Sequence, residues 1–493
     1  MKKLIITLLI GISAQQSKTQ SPVFDIKDCI AIASDSSLQA FRAKNMYLAS
    51  YWEHKAFRAA RLPAMDFMMT PIQYNHNIIK RYDYNENVDV YRAQQSRYSS
   101  GTLSLAQNVD ITGGTFFIDT ELGYMKNYGD YNIEQFSSIP FRFGYSQSLF
   151  GYNRFKWERK IEPLKFEKAK NQFLYNIEEI SEQTVQYYFS LLLAEEEYNM
   201  AQEYLLYADT LYMVGLERDK ISTISQADIS ILELDLINAK STLKVAAINV
   251  KMSKAKLATF LNLDQALSFS IILPERPQNI DIPFYDAIEY ARINNPIYLS
   301  NRQDIIESER DVERAKKSAA FDASISANVG FNQVSNSFSG VYRSPLHQEI
   351  VAVGITIPIM DWGVKKGHVN MAKNNLHIIK ISAQQKEQSL DQEVIITIDN
   401  FNLQQELLSS AERAIELANK AYKNIFDRYV IGKSDINSLT ISQSRQKEAR
   451  LNYLRVLNDY WISYYKIRKI TLFDFEKNEH LSVSFDEKVG INK

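Results

Sequence analysis

The sequence predicts a mainly α-helical fold with a membrane β-barrel section. The fold is a twofold internal repeat of a strand hairpin plus long coiled-coil helices. Three observations predict it: segments that alternate strictly between apolar and polar residues, apolar seams too long for a globular domain, and matches between the two halves at a fixed offset. Among the 493 residues are 16 Gly, 11 Pro and 29 Tyr. Tyrosine suits membrane interfaces, where its ring is in apolar surroundings and its hydroxyl stays hydrated.

The first residues have the pattern of a secretory signal peptide. Two lysines precede an apolar run of about nine residues, too short to cross a bilayer as a helix, and small residues follow. We expect cleavage near Ala14, so residues 1–14 are assigned to the signal. No later stretch holds 18 uninterrupted apolar residues, which argues against a membrane-spanning helix. The single cysteine, Cys29, excludes an internal disulfide and is expected to be a small buried helix residue.

Four segments alternate with the period of a β-strand: residues 103–111, 141–149, 323–331 and 351–359. Period two places alternate side chains on opposite faces of a sheet. One apolar and one polar face fit either a half-buried soluble sheet or a barrel that faces lipid outside and water inside. The signal peptide and the long helices favour the barrel. We therefore expect Val351, Val353, Ile355 and Ile357 to face lipid, and Gly354 and Thr356 to line the lumen.

Two stretches predict unusually long helices. Residues 368–431 contain neither Gly nor Pro, and about 64 helical residues would reach roughly 95 Å. Their apolar residues recur at alternating steps of three and four, which is a coiled-coil seam. Residues 164–214 also lack Gly and Pro, and Pro163 is expected near the start of that helix, where a missing N–H costs least.

The two halves of the chain repeat each other. Residues 143–150 resemble 353–360, and residues 258–264 resemble 468–474, both at an offset of 210. Each long helix is expected to be matched by two half-length helices stacked end to end. The helices at residues 25–62 and 284–319 are the second half-length helix of each such pair. The repeats are assigned to residues 15–282 and 283–475, and residues 476–493 to a C-terminal tail.

The first half also contains an insertion. Near the N-terminus the match to the second half has an offset of 258, so 48 extra residues precede Gly144. They include the turn-forming triplet Thr112-Gly113-Gly114. We expect residues 101–127 to form an additional hairpin of the sheet, within the barrel wall or on its rim.

With these features together, the chain resembles the TolC family of outer-membrane efflux and secretion channels. The most specific segments are residues 357–363 (IPIMDWG), and Tyr429-x-x-Gly432 followed by Ala449-x-x-x-Tyr453. The resemblance implies a homotrimer in the outer membrane, with a shared 12-strand barrel, a mixed equatorial domain and a periplasmic helical tunnel. It implies a passive conduit of a tripartite efflux or type I secretion system, docked through a periplasmic adaptor (membrane fusion protein) onto an inner-membrane transporter.

The resemblance also suggests a gate where the helical hairpins turn. The family's gating carboxylates lie six residues after the turn, where Asp228 stands in the first half and Ser438, with Asp435 nearby, in the second. Ser222 replaces the usual turn glycine, and Gly432 would follow a helix C-terminus. We expect Ser222, Asp228, Arg428, Gly432 and Asp435 to form this site. The alternative is that Gly432 only closes a turn and the charges are solvated helix ends, worth under about 1 kcal/mol each.

Two rival functions have weaker support. An enzyme is disfavoured because none of the six histidines forms an i,i+4 metal pair, and neither a G-x-S-x-G motif nor a Gly-rich phosphate loop is present. We expect no catalytic residue, metal or other cofactor. The net charge of −1 gives no reason to expect nucleic acid as a partner. The alternative function is a periplasmic coiled-coil adaptor or scaffold protein, a class that has helical hairpins but lacks two separated barrel hairpins.

Overall fold

The structure is a computed structural model that describes residues 22–128, 132–221, 224–264, 269–431, 433–434 and 436–485. The predicted signal segment and the end of the predicted tail lie outside these residues. None of the described helices combines the length and the hydrophobicity needed to cross a bilayer.

Helices and strands follow one another in an order that is similar in the two halves. In chain order they are β1 Val23–Phe24, α1 Ile26–Ser36, α2 Leu38–Ala59, β2 Ala64–Asp83, β3 Val88–Asn108, β4 Thr115–Tyr128, β5 Ile133–Ser148, α3 Arg154–Lys220, α4 Gln226–Phe260, β6 Ser270–Ile271, α5 Phe284–Asn294, α6 Pro296–Ala319, β7 Asp322–Ser335, β8 Leu346–Thr356, α7 Val364–Val430, α8 Ile436–Thr471, β9 Phe473–Asp474 and β10 Glu479–His480. Short 3-10 turns lie at Phe338–Tyr342 and Leu481–Ser484.

The chain divides into two compact units. Among the described residues, those within 22–44, 174–288 and 394–485 form the helical unit, and those within 45–173 and 289–393 form the sheet unit. Each unit draws on both predicted repeats, because the long helices α3 and α7 contribute residues to both units. The repeat boundaries at residues 282 and 475 therefore stay a prediction about the sequence.

The sheet unit contains six antiparallel strands in the order β2-β3-β4-β5-β7-β8. Residues 101–127 pair as β3 and β4 around the Thr112–Gly114 turn, so this predicted hairpin is confirmed. The strands without a counterpart in the second half are nevertheless β2 and β3, because β4 and β5 match β7 and β8 at the offset of 210. The insertion therefore contributes a hairpin at one edge of the sheet.

Both predicted half-length helices are interrupted. The first breaks at Ser37, whose hydroxyl accepts a hydrogen bond from the Ala40 N–H at 3.1 Å. The second breaks at Asn295, whose side chain accepts from the Ile297 N–H at 2.9 Å, with Pro296 opening the next helix. Capping side chains start a new helix at both places. The two breaks are separated by the same 258 residues as the N-terminal sequence match.

The long helix of the first half starts earlier than predicted. α3 begins at Arg154, so Pro163 lies inside the helix rather than near its start. Asn153 explains the earlier start, because its side chain accepts a hydrogen bond from the Lys156 N–H at 3.1 Å. Trp157 and Ile161 are buried in the added turns, and their packing offsets the hydrogen bond that proline cannot make.

The core of the helical unit lies along α3. Tyr188 is fully buried, and its hydroxyl donates to the carbonyl of Ile272, with the Phe24 carbonyl 3.3 Å away, beside the short parallel pair of β1 and β6. Farther along α3, Ala208 packs with Leu236 and Ala239 of α4. The small side chains let these two helices approach closely, as the predicted seam requires.

Candidate channel surface and helical tips

The sheet has one polar and one largely apolar face. Cross-strand pairing brings one residue from each of the six strands into a polar row: Asp66, Ser104, Asp119, Arg142, Gly330 and Gln348. The next row, on the opposite face, is Met65, Leu105, Ile118, Phe143, Val329 and Glu349. The alternation predicted from the sequence therefore continues across all six strands.

The predicted lumen residues lie on the polar face. Gly354 pairs with Ser324, and Thr356 pairs with Asp322. A Cβ added at Gly354 would lie 2.9 Å from the Ser324 hydroxyl oxygen, so the two strands are closely apposed there. Val351, Val353 and Ile355 lie on the other face, whereas Leu346 and Ile350, nearer the start of β8, share the face of Gly354.

One residue of the predicted lipid-facing set lies outside the strand. β8 ends at Thr356, so Ile357 belongs to the connection that leads to α7. The reason is Pro358, which has no N–H for the ladder and restricts the residue before it. The lipid-facing prediction consequently applies to Val351, Val353 and Ile355.

An ion pair occupies the middle of the polar row. Arg142 donates from Nε and Nη2 to the two carboxylate oxygens of Asp119, at 2.9 and 2.6 Å. The side chain of Asp119 is 10 % exposed and that of Arg142 is 27 % exposed. A two-pronged pair on adjacent strands fixes both side chains. The sequence shows Arg142 only as one alternating position of residues 141–149, and its pairing with Asp119 is seen only in the structure.

Asp228 lies in the first turn of α4. Its backbone N–H donates to the hydroxyl of Ser225 at 3.1 Å, and that hydroxyl lies 2.6 Å from the Asp228 carboxylate. This reciprocal arrangement caps the helix, where a negative charge is favoured. Asp228 is exposed, so its carboxylate remains accessible to the surroundings. Ser222, predicted at the same turn, lies outside the described residues.

Arg428 lies in the last turn of α7, where a positive charge is favoured. Its carbonyl accepts a hydrogen bond from the Lys433 N–H at 2.8 Å, the spacing with which many helices close at their C-terminus. Gly432 and Asp435 lie outside the described residues. The structure thus places two of the five predicted tip residues, each at the end of a different helical hairpin.

A buried charge network was missed by sequence reasoning. Arg468 near the end of α8 donates to both carboxylate oxygens of Glu178 on α3, at 3.0 and 3.2 Å, and to Asp474 at 2.6 Å. The neighbouring Lys469 bonds Glu182 at 2.6 Å. A signal was available in the sequence. Arg468 and Lys469 follow an aromatic-rich stretch of α8, and Glu178 and Glu182 are four residues apart and so lie on one face of α3.

The polar-faced sheet and the long helical hairpins are the parts that the resemblance implied. Residues 296–471 match the family described as outer membrane efflux protein. The TolC-family resemblance is confirmed. The matched segment runs from the start of α6 to the end of α8 and so includes β7, β8 and the second helical hairpin. Among curated proteins, none matches this chain.

Solved structures show the same fold over nearly the whole chain. The CmeC outer membrane channel of Campylobacter jejuni is 14 % identical, with a TM-score of 0.66 and coverage of 99 % of this chain and 98 % of that one. The outer membrane protein VceC of Vibrio cholerae is 11 % identical, with a TM-score of 0.63 and coverage of 90 % and 95 %. The open state of the MtrE outer membrane channel of Neisseria gonorrhoeae is 14 % identical, with a TM-score of 0.57 and coverage of 90 % and 88 %.

The family decides between the functions that the sequence left open. The match of residues 296–471 to outer membrane efflux proteins and the fold shared with solved outer-membrane channels support an efflux channel located in the outer membrane. A periplasmic adaptor or scaffold is not favoured. The family is one of passive channels and not an enzyme class.

Proposed function

We propose that this efflux channel protein assembles as a homotrimer that conducts substrate from the periplasm to the exterior. It would receive that substrate from an inner-membrane transporter through a periplasmic adaptor (membrane fusion protein), in a tripartite efflux or type I secretion system. The conduit contributes no catalytic step, so the partner transporter supplies the energy. The single observation that carries the proposal is the six-stranded sheet, which has one polar face, one apolar face and two open edges.

The open edges require a second copy. β2 and β8 are the outermost of the six strands, and among the described residues neither has a neighbour on its outer side. Unpaired N–H and C=O groups are not tolerated in lipid, so such a sheet must close into a barrel. Pairing β8 of one copy with β2 of the next satisfies both edges. Three copies of a six-stranded sheet give a barrel of 18 strands, rather than the 12 that the family resemblance implies. A barrel of this size encloses an aqueous channel.

The exposed side chains of β8 agree with this arrangement. Val351, Val353 and Ile355 are each more than 60 % exposed in the single chain. Their face is continuous with Ile118 and Phe143 on the inner strands through the cross-strand pairs. A lipid environment accounts for such a surface, whereas water does not.

Edge-to-edge cysteine crosslinking in outer-membrane vesicles tests the closure. With Cys29 replaced by Ala, Phe67→Cys on β2 is combined in turn with Val351→Cys, Val353→Cys or Ile355→Cys on β8. At least one pair should give a ladder ending at the trimer after oxidation. The matched control pairs Val353→Cys with Thr120→Cys on the inner strand β4 and should stay monomeric. A ladder from the control, or none from the three edge pairs, contradicts the closure.

The helical tips are proposed to form the periplasmic gate. Around a threefold axis, three copies of Asp228 and Asp435 would repel one another unless a cation or an arginine intervened. Asp228 and Asp435 would then favour cations, Arg428 would latch the closed state, and Ser222 and Gly432 would form the turns. The exposed Asp228 carboxylate at a helix end supports this proposal.

Planar bilayers test the gate with purified trimers. Asp228→Ala combined with Asp435→Ala should weaken cation preference and divalent block, and Arg428→Ser should raise the open conductance. Asp209→Ala, an exposed carboxylate within α3, is the control and should change neither quantity. Unchanged selectivity and conductance in all tip variants would leave these residues only a turn-closing role.

A further inference from the structure

We propose that the connection between β8 and α7, residues 357–363, is an anchor that inserts into the headgroup layer of the lipid bilayer, with Trp362 as its principal contact. The proposal rests on the proposed function in one respect, namely that the sheet lies in a membrane. Beyond that function, the anchor would set how deeply the sheet lies in the bilayer at the end where the helices join.

The anchor exposes several large apolar side chains close together in the sequence. Trp362 is 90 % exposed, Ile359 is 94 % exposed and Met360 is 70 % exposed. A single exposed apolar residue is ordinary, but three within four positions form a surface that needs a partner. Tryptophan in particular favours the boundary between hydrocarbon and water, since its ring is apolar and its N–H can bond to headgroups.

The exposure is built into the turn. Trp362 has a φ of +55° and Gly363 a φ of +88°, so two consecutive residues occupy the left-handed region. A bulky side chain rarely adopts that conformation unless its surroundings impose it. Here Asp361 imposes it, because its carboxylate accepts hydrogen bonds from the N–H groups of Gly363 and Lys365, both at 3.0 Å. The side chain of Trp362 is thereby presented away from its own chain.

The position of the turn identifies the partner. The strand pairs put the end of β8 beside the start of β7 and the end of β5, at the end of the sheet where the helices join. Other connections at this end also carry exposed apolar side chains, namely Leu62, Ile111, Phe150 and Phe321. Phe150 and Phe321 are in ring contact, with centroids 4.9 Å apart.

A lipid partner accounts for the residue types on both sides of the anchor. On one side it continues the exposed apolar residues Val351, Val353 and Ile355 of β8. On the other side Lys365 and Lys366 lie in the first turn of α7, where their ammonium groups suit lipid phosphates. An apolar strand, then a tryptophan, then cations is the order met on leaving a bilayer for water.

A fluorophore at position 362 tests the anchor in vesicles. With Cys29 replaced by Ala, Trp362→Cys and Trp52→Cys are each labelled with an environment-sensitive dye and reconstituted into phosphatidylcholine–phosphatidylglycerol vesicles. Trp52, 59 % exposed on α2, is the matched comparator. Nitroxide lipids labelled near the headgroup should quench the dye at position 362 at least twofold more than lipids labelled deep in the chain. Iodide in the water should quench the dye at position 52 preferentially.

Two further outcomes separate the anchor from the proposed function. Protein that fails to float with vesicles would overturn the membrane location and the anchor together. Protein that floats, but whose dye at position 362 responds to iodide as position 52 does, would overturn the anchor alone. An unlabelled check uses brominated lipids, which should quench the intrinsic fluorescence of the native chain and quench that of Trp362→Phe measurably less. Equal quenching of both would count against the anchor.

Discussion

Replacing Arg468 with methionine should locally destabilise the contact between α8 and α3. The guanidinium is 14 % exposed, and the carboxylates that it bonds, Glu178 and Asp474, are 2 % and 5 % exposed. Removing one partner of such a buried pair leaves uncompensated charge and costs about 3–5 kcal/mol. Because two carboxylates lose the same cation, we expect the cost to lie within that range rather than below it.

Two other ion pairs provide a graded control. Lys469 bonds Glu182 through one contact, and their side chains are 13 % and 16 % exposed. Lys469→Met should therefore cost less than Arg468→Met, roughly 1–3 kcal/mol for a partly hydrated pair. Arg413, 63 % exposed beside Glu416, represents a surface pair, and Arg413→Met should cost under about 1 kcal/mol.

Amide hydrogen exchange of detergent-solubilised protein measures the effect locally. Peptides that cover the end of α8 and β9 report their own opening free energy. A loss of about 3 kcal/mol corresponds to exchange faster by roughly a hundredfold. Peptides from the sheet unit should exchange unchanged. If Arg468→Met accelerates exchange no more than Arg413→Met does, the network does not hold α8, and the reasoning from burial is wrong.

Two further predictions concern the sheet unit. Val353→Arg should impair membrane assembly, since arginine at the lipid face costs about 2–4 kcal/mol at the bilayer midplane. Thr356→Arg should assemble normally and change the conductance of the channel. Equal assembly of the two variants would reverse the assignment of the faces. The Arg292 guanidinium, which donates to Asp391 at 2.6 and 3.2 Å, lowers the pKa of that carboxyl, and Tyr298 adds a hydrogen bond. A folded pKa below the unfolded value of about 3.9 stabilises the fold above that pH, and the contribution is lost as pH falls through the folded pKa. Asp391→Asn should thus melt below the native chain at pH 7, by a small margin because the pair is partly exposed. The gap between the two melting temperatures should shrink as the pH falls through the lowered folded pKa, and a constant gap would contradict this linkage.

The sequence by itself determined the features that depend on local periodicity. Alternation in β7 and β8 needs only the side-chain period of a strand, and the structure confirms it residue by residue. The long helices follow from uninterrupted seams without Gly or Pro, and α7 includes nearly all of the predicted stretch. The matches at offsets of 210 and 258 likewise required no knowledge of contacts, since they compare the chain with itself.

Only the tertiary structure decided the features that depend on distant partners. The period of two cannot say which strands are neighbours, so the place of β2 and β3 at one edge came from the hydrogen-bond register. Glu178 and Arg468 are 290 residues apart, and burial alone turns their charges into a structural pair. The sequence places a helix start near Pro163, whereas the cap at Asn153 and the burial of Trp157 start α3 earlier. Trp362 reads in the sequence as one apolar residue among several, and its left-handed backbone and exposure arise from the hydrogen bonds of Asp361.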